Sequence, residues 1–228
     1  MIRGRSIWVA AGLLAGVLSA AAKPGAGQGG TKSALEADPA GWVDILPGKD
    51  LQGWKRVPIP PGGKLSAKNP WTVEEATKTV ICDGVGVHEM LLYDKELANF
   101  IFHVEWRFKK LDNGKGYNSG VYARNSADGK IWHQAQVGSR NVGFLFGDTL
   151  VDGQIKRVRI GGTSPQRGNE AGEWNVYEIT CQGPTMTLWI NGHVTAEWKE
   201  CQVPKGHVGL EAEGYYIEFK NLKLKELK

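Results

Sequence analysis

Long apolar runs are almost missing from this 228-residue chain. The single clear one, Ile7 to Leu18, follows Arg3 and Arg5 and ends in Ser19-Ala20-Ala21-Ala22. A basic start, a short apolar stretch and an A-x-A ending form the pattern of a secretory signal peptide over residues 1–22, too short to span a bilayer comfortably. No second apolar stretch of about 20 residues follows, which predicts no membrane insertion after cleavage and a secreted or periplasmic protein. No Cys stands just after the small residues, so a lipid anchor at the cleavage point is not expected.

Cysteine is also scarce. Cys82, Cys181 and Cys201 are the only three, so at least one stays unpaired even in an oxidising compartment. A Cys181–Cys201 bridge would join residues two strands apart, roughly 10 Å at ordinary strand spacing, whereas a disulfide needs its Cα atoms within about 7 Å. Excess charge of either sign is missing too: the net charge is +4, and the loss of Arg3 and Arg5 with the signal peptide brings it to +2. That excludes the basic footprint of a nucleic-acid binder. Strongly periodic helical segments are absent as well. Residues 23–38 are rich in Gly and Ala and read as a flexible leader. Residues 39–228, about 190 positions, suffice for one sizeable core.

What remains is a series of short β-branched and aromatic runs between Gly, Pro and Asn turns. Trp174 to Cys181, Met186 to Ile190 and His193 to Trp198 read as a meander, closed by a Gly183-Pro184 turn and an Asn191-Gly192 hairpin. Val208 to Ala212 and Tyr216 to Leu227 end the chain. Earlier strands are Trp42 to Leu46, Trp71 to Val73, Thr79 to Cys82, Phe100 to Lys109, Ser119 to Asn125 and Trp132 to Val137. So many short strands predict an all-β sandwich or jelly roll.

Alternation assigns the faces. Phe100, Phe102, Val104, Trp106 and Phe108 must share a buried side, which turns His103, Glu105, Arg107 and Lys109 outward. In the same way Asn118, Tyr122 and Arg124 fall opposite Val121 and Ala123. Trp132, Gln134 and Gln136 fall opposite Ala135 and Val137, and Glu211 and Glu213 opposite Val208, Leu210 and Ala212. His133 points away from Gln134 and Gln136 unless a bulge intervenes. A face that collects amides, carboxylates, Tyr and Trp can be an ordinary wet surface. It also supplies the paired donors and acceptors that sugar hydroxyls need and flat rings for the C–H side of a pyranose. A carbohydrate is the partner such a face predicts, with no oligomeric state implied.

The segments GWVDILPGKDLQGW (Gly41–Trp54), FIFHVEWRF (Phe100–Phe108), YNSGVYAR (Tyr117–Arg124), HQAQV (His133–Val137), GEWNVYEIT (Gly172–Thr180), LWINGH (Leu188–His193) and VGLEAEGYYIEFKNLKL (Val208–Leu224) resemble, in this order, the 3-keto-disaccharide hydrolase domain family, formerly a domain of unknown function. The resemblance implies a concanavalin A-like jelly-roll sandwich of two antiparallel sheets. It also implies hydrolysis of glycosides already oxidised to a ketone at C3. The family's polar signature falls on Glu105, Asn118, Arg124, Gln136, Glu173, Asn175 and Asn221. Three departures stand out. The family commonly has a carboxylate at the position of Gln134, many members have Gln and His where Glu211 and Glu213 stand, and Lys220 replaces a usual Arg. The segment Asp148 to Ala171, with Lys156, Arg157, Arg159 and Arg167, is read as a loop peculiar to a subgroup.

A ketone at C3 acidifies the C2 proton, so the glycosidic bond can break by β-elimination followed by addition of water, with no need for the oxocarbenium route. The site then needs a base, an acid and a group to hold the enolate oxygen. Glu105 is the expected base, its partial burial raising its pKa, with a salt bridge to Arg107 or Arg124 as the competing role. Glu211 is the second catalytic carboxylate, and Arg124 is the candidate for holding the enolate or a hydroxyl, with structural pairing as its competing role. Asn118, Tyr122, Trp132, Gln134, Gln136, His103 and Lys220 are the expected substrate-binding residues, and His88, His193 and His207 read as turn or surface positions. A divalent cation such as calcium suits an enolate, but no loop of alternating Asp and Asn ligands is present, so no metal is assigned. Two other functions fit the same fold, a non-catalytic carbohydrate-binding domain and an envelope scaffold. Convergence of Glu105 and Glu211 in one pocket is the feature that separates the enzyme from both.

Overall fold

The computed structural model describes Met1, residues 30–112, Gly114 and residues 116–228. The expected signal peptide and the first part of the leader lie outside the described residues. Fifteen strands follow in order: β1 (Val43–Asp44), β2 (Trp54–Pro58), β3 (Trp71–Glu74), β4 (Thr79–Asp83), β5 (His88–Tyr93), β6 (Phe100–Phe108), β7 (Ser119–Asn125), β8 (Trp132–Val137), β9 (Leu145–Val151), β10 (Gln154–Ile160), β11 (Asn175–Gln182), β12 (Thr185–Ile190), β13 (His193–Trp198), β14 (His207–Glu213) and β15 (Tyr216–Glu226). Sheet I runs β13-β12-β11-β6-β15-β4-β3 with β1 beside β15, and sheet II runs β10-β9-β8-β7-β14-β5-β2. Every pairing is antiparallel. This is the expected jelly-roll sandwich.

Alternation along β6 produces the core. Phe100, Phe102, Val104, Trp106 and Phe108 are buried and meet Val121, Ala123, Ala135, Val137, Val208 and Leu210 from sheet II. Burying each large side chain contributes about 1.5–3 kcal/mol, which fixes the register of both sheets, since a one-residue slip would turn these groups to water.

Four strands were not anticipated. β9 and β10 occupy part of the segment expected to be a loop. They join through Asp152-Gly153, both at positive φ (52° and 75°), with Val151 opposite Gln154, which is the geometry of a two-residue primed hairpin turn. β2 and β5 carry too few β-branched residues to announce themselves. All three cysteines are free and buried. Burial pushes the Cys181 thiol up to about 12 and raises Cys82 and Cys201 as well, so these thiols stay protonated and unreactive. Among the described residues no helix is long and apolar enough to cross a membrane.

The leader is not loose from residue 31 onward. Thr31 N–H donates to Gly192 O at 2.8 Å, and Trp189 Nε1 donates to Thr31 Oγ1 at 2.8 Å. Ser33 and Glu36 form a reciprocal capping box on the short helix α1 (Ala34–Ala37). The Glu178 carboxylate accepts from Ala34 N at 2.6 Å and Leu35 N at 3.1 Å. Asp38 pairs with Lys225 at 2.5 Å. The segment is a strap across the outer face of sheet I.

Candidate active site

Glu211 sits mid-strand on β14, which aims Leu210 and Ala212 into the core and Glu211 away from it. Glu211 is only 3% exposed, and a charge so removed from water must be held by hydrogen bonds. Tyr122 Oη donates to its Oε1 at 2.6 Å and Gln134 Nε2 donates to its Oε2 at 2.8 Å, while His88 Nε2 lies 3.4 Å from Oε1. Gln134 belongs to β8 and must reach across β7 to arrive there. Gly120 on β7 leaves the room, because a Cβ at this position would stand 2.3 Å from Gln134 Nε2.

Glu213 lies opposite His88 in the β14–β5 register, with His88 Nε2 3.9 Å from its Oε1. Burial, reinforced by the neighbouring Glu211 charge, raises the Glu213 carboxyl above its ordinary value. The hydrogen bond to Glu211 raises the His88 imidazole, outweighing burial. Burial pushes the Tyr122 hydroxyl well up, with the Glu211 charge adding to it, so Tyr122 stays a donor. His88, Glu211 and Glu213 each offer a ligand atom within 4.8 Å of the others. They are the residues that would hold a divalent cation.

Around this cluster the outer face of sheet II forms a cleft of about 440 Å³, the size of an ordinary small-ligand site. Asn118, Tyr122, Trp132, Gln134, Gln136 and Glu211 all line it, so six of the expected site residues come together. Gln136 Nε2 donates to Asn118 Oδ1 at 2.6 Å, which sets the two amides as one polar edge.

Four expected residues are elsewhere. Glu105 projects from β6 on the outer face of sheet I, so the two sheets stand between it and Glu211. It accepts from Asn221 Nδ2 at 2.5 Å and meets Lys220 at 3.3 Å. Burial opposes ionisation, but the His103, Asn221 and Lys220 partners win and hold Glu105 at about 2, the reverse of the raised pKa a base needs. His103 and Lys220 share that face. His103 Nδ1 pairs with Glu178 at 2.9 Å under the strap, and Lys220 lies 4.1 Å from the centre of the Trp174 ring.

Arg124 fails for a different reason. Ala123 and Arg124 together stand opposite Val208, a bulge in the β7–β14 pairing with Arg124 at φ 51°. The extra residue breaks the alternation and turns the guanidinium into the interior. There it is fully buried and donates to Ala98 O at 2.6 Å, Gly183 O at 2.8 Å and Val203 O at 3.2 Å. Arg124 therefore ties three chain segments together and has no access to the cleft. His133 is buried and bonded to Thr149 Oγ1 at 2.8 Å.

The sequence matches the family described as the 3-keto-alpha-glucoside-1,2-lyase-like domain over residues 41–225. The chain belongs to this family. No curated protein matches it by sequence. Among solved structures, a candidate glycosyl hydrolase from Parabacteroides distasonis is 18% identical at a TM-score of 0.59, over 88% of this chain and all of the other. A carbohydrate-binding module from Bacillus subtilis is 15% identical at 0.53, over 75% and 94%. A Bacillus subtilis protein of galectin-like fold is 9% identical at 0.53, over 81% and 94%. These likenesses establish the shared fold.

Gln134 and Glu211, two of the positions at which the resemblance departs, are hydrogen-bonded to each other at 2.8 Å, and Glu213, a third, stands directly opposite His88 on the facing strand. His88 reads from the sequence as a turn or surface position, because β5 is not among the expected strands and nothing in the sequence places His88 beside Glu211 and Glu213.

Proposed function

We propose that the cleft cleaves 3-keto-glycosides by elimination and rehydration. Glu211 removes the proton from C2 of the keto-sugar. The C1–O bond then breaks, the departing oxygen takes a proton from protonated His88, and the sugar is left as a C1–C2 unsaturated ketone. Water adds at C1 and a proton returns to C2, so the net change is hydrolysis. Tyr122 and Gln134 hold the Glu211 carboxylate in place, and the Asn118 and Gln136 amides meet sugar hydroxyls. Glu213 keeps His88 charged. His88, Glu211 and Glu213 are also the residues that would hold a divalent cation; with one bound, His88 would be a neutral ligand rather than the acid, and the cation would instead supply Lewis-acid stabilisation of the enolate oxygen. The leader of signal-peptide type supports a reaction outside the cytoplasm.

The observation that carries this reading is the convergence of a buried, triply partnered carboxylate with an imidazole and a second carboxylate of raised pKa in a sugar-sized cleft. Incubation with a 3-keto-disaccharide in D₂O tests it. Release of the keto-monosaccharide carrying deuterium at C2 is the expected result. Release without deuterium rejects the elimination step, and binding without release makes the protein a non-catalytic carbohydrate-binding domain.

A further inference from the structure

From Glu211 an aromatic row leads along the outer face of sheet II, lining the cleft as far as Phe146. Tyr122, whose hydroxyl is on Glu211, meets Trp132 edge to face at 6.3 Å between ring centres. Trp132 meets Phe146 at 5.1 Å, and Phe146 meets Phe144 at 5.4 Å. Neither phenylalanine belongs to the inter-sheet core. The row ends under the unanticipated hairpin, where the Arg159 guanidinium covers the Phe144 ring at 3.7 Å.

The charges along this row are unequal. Arg157 covers Trp132 at 4.8 Å but is held by Asp148 through two hydrogen bonds, at 2.5 and 2.9 Å. Arg159, two residues further along the same face of β10, is exposed, and among the described residues no acidic group pairs with it. The outer face of sheet II is thus acidic at Glu211 and Glu213, inside the cleft, and cationic at Arg159, which stands opposite Phe146 at the cleft's margin. Strand spacing puts β14 and β9 on the order of 14 Å apart, room for one sugar ring over Glu211 and one further ring before Arg159.

We propose that the β9–β10 hairpin forms a leaving-group subsite selecting glycosides whose departing ring carries a carboxylate or similar anion, with Arg159 as the specificity-determining residue. The aromatic row receives the ring face and Arg159 receives the anion. Repulsion from Glu211 and Glu213 sets the direction in which such a ligand lies. This rests on the proposed reaction for the words leaving group, while the recognition itself rests only on the hairpin and the row.

The test separates the two. Calorimetry compares the unoxidised 4-carboxyphenyl and 4-carbamoylphenyl glucosides, equal in shape, on the wild type and Arg159→Gln. The wild type should bind the carboxylate about fivefold more tightly, as for a partly exposed ion pair, with the preference fading at high salt. Arg159→Gln should erase the preference and leave carbamoyl affinity within about twofold. Equal affinities in the wild type, a preference that survives Arg159→Gln, or no binding of either ligand overturns the proposal. Neither glucoside is oxidised, so the result stands whether or not keto-glycosides are turned over. A preserved preference with no turnover of the 3-keto forms would overturn the proposed reaction alone.

Discussion

Glu211 and Arg124 carry opposite charges and are both buried, but the purposes differ. Glu211 is placed at the floor of a cleft and partnered by donors that leave one side open, whereas the Arg124 guanidinium is spent on backbone carbonyls. Replacing Arg124 by Met should therefore act on folding. It leaves the Ala98, Gly183 and Val203 carbonyls short of a donor, at a cost of about 3 kcal/mol or more. Urea denaturation should show the lowered midpoint, with turnover per folded molecule unchanged; a specific loss of turnover would return Arg124 to the site. His88 sets a pH limit of known sign. Its pKa is raised above the ordinary 6.5 by Glu211, so the protonated acid form is present below that raised value and lost as pH climbs through it. A pH–rate profile should show an alkaline limb with its midpoint above 6.5, and His88→Gln should remove the limb along with most of the rate.

At the scale of strands, the site depends on a reach across β7. In the exchange variant Gln134→Glu combined with Glu211→Gln, the carboxylate moves to the other end of the same hydrogen-bonded pair. Turnover should recover about tenfold or more over Glu211→Gln alone, because the pair's chemistry is preserved; two independent losses that simply add would refute the pairing. Gly120→Ala would place its Cβ inside the Gln134 side chain and should lower turnover while the protein still folds, since the displaced group faces the open cleft. The regular strands were legible because β6, β8, β14 and β7 as far as its bulge alternate, and alternation brought Asn118, Tyr122, Gln134, Gln136 and Glu211 onto one face. It misplaced Arg124 because a bulge adds one residue and reverses the parity beyond it. It could not separate Glu105 from Glu211, since polar residues on the outer faces of two different sheets look alike along the chain. The β9–β10 hairpin was hidden by its exposed basic strand, although Asp152-Gly153 is a hairpin signal of the same kind as Asn191-Gly192.

The whole molecule is a sandwich whose two outer faces have different work. Among the described residues sheet II carries the cleft on its outer face. Sheet I is covered in part by the strap from Thr31 to Asp38, tied down by Glu178, Trp189 and Lys225. A chain starting at Pro39 leaves the Glu178 carboxylate without its two backbone donors. The expected loss is about 2 kcal/mol, a fall of roughly 4–8 °C in Tm for a domain of this size. An unchanged Tm would show that the strap rests on sheet I without stabilising it. The division between the two faces is the central claim, and it is tested most directly by measuring kcat/KM on one 3-keto-disaccharide for Glu211→Gln and Glu105→Gln side by side. Both changes keep shape and hydrogen bonding while removing the carboxylate. The account predicts a loss of about 10² or more for Glu211→Gln and a change within about twofold for Glu105→Gln; a large loss in Glu105→Gln with Glu211→Gln still active would contradict it.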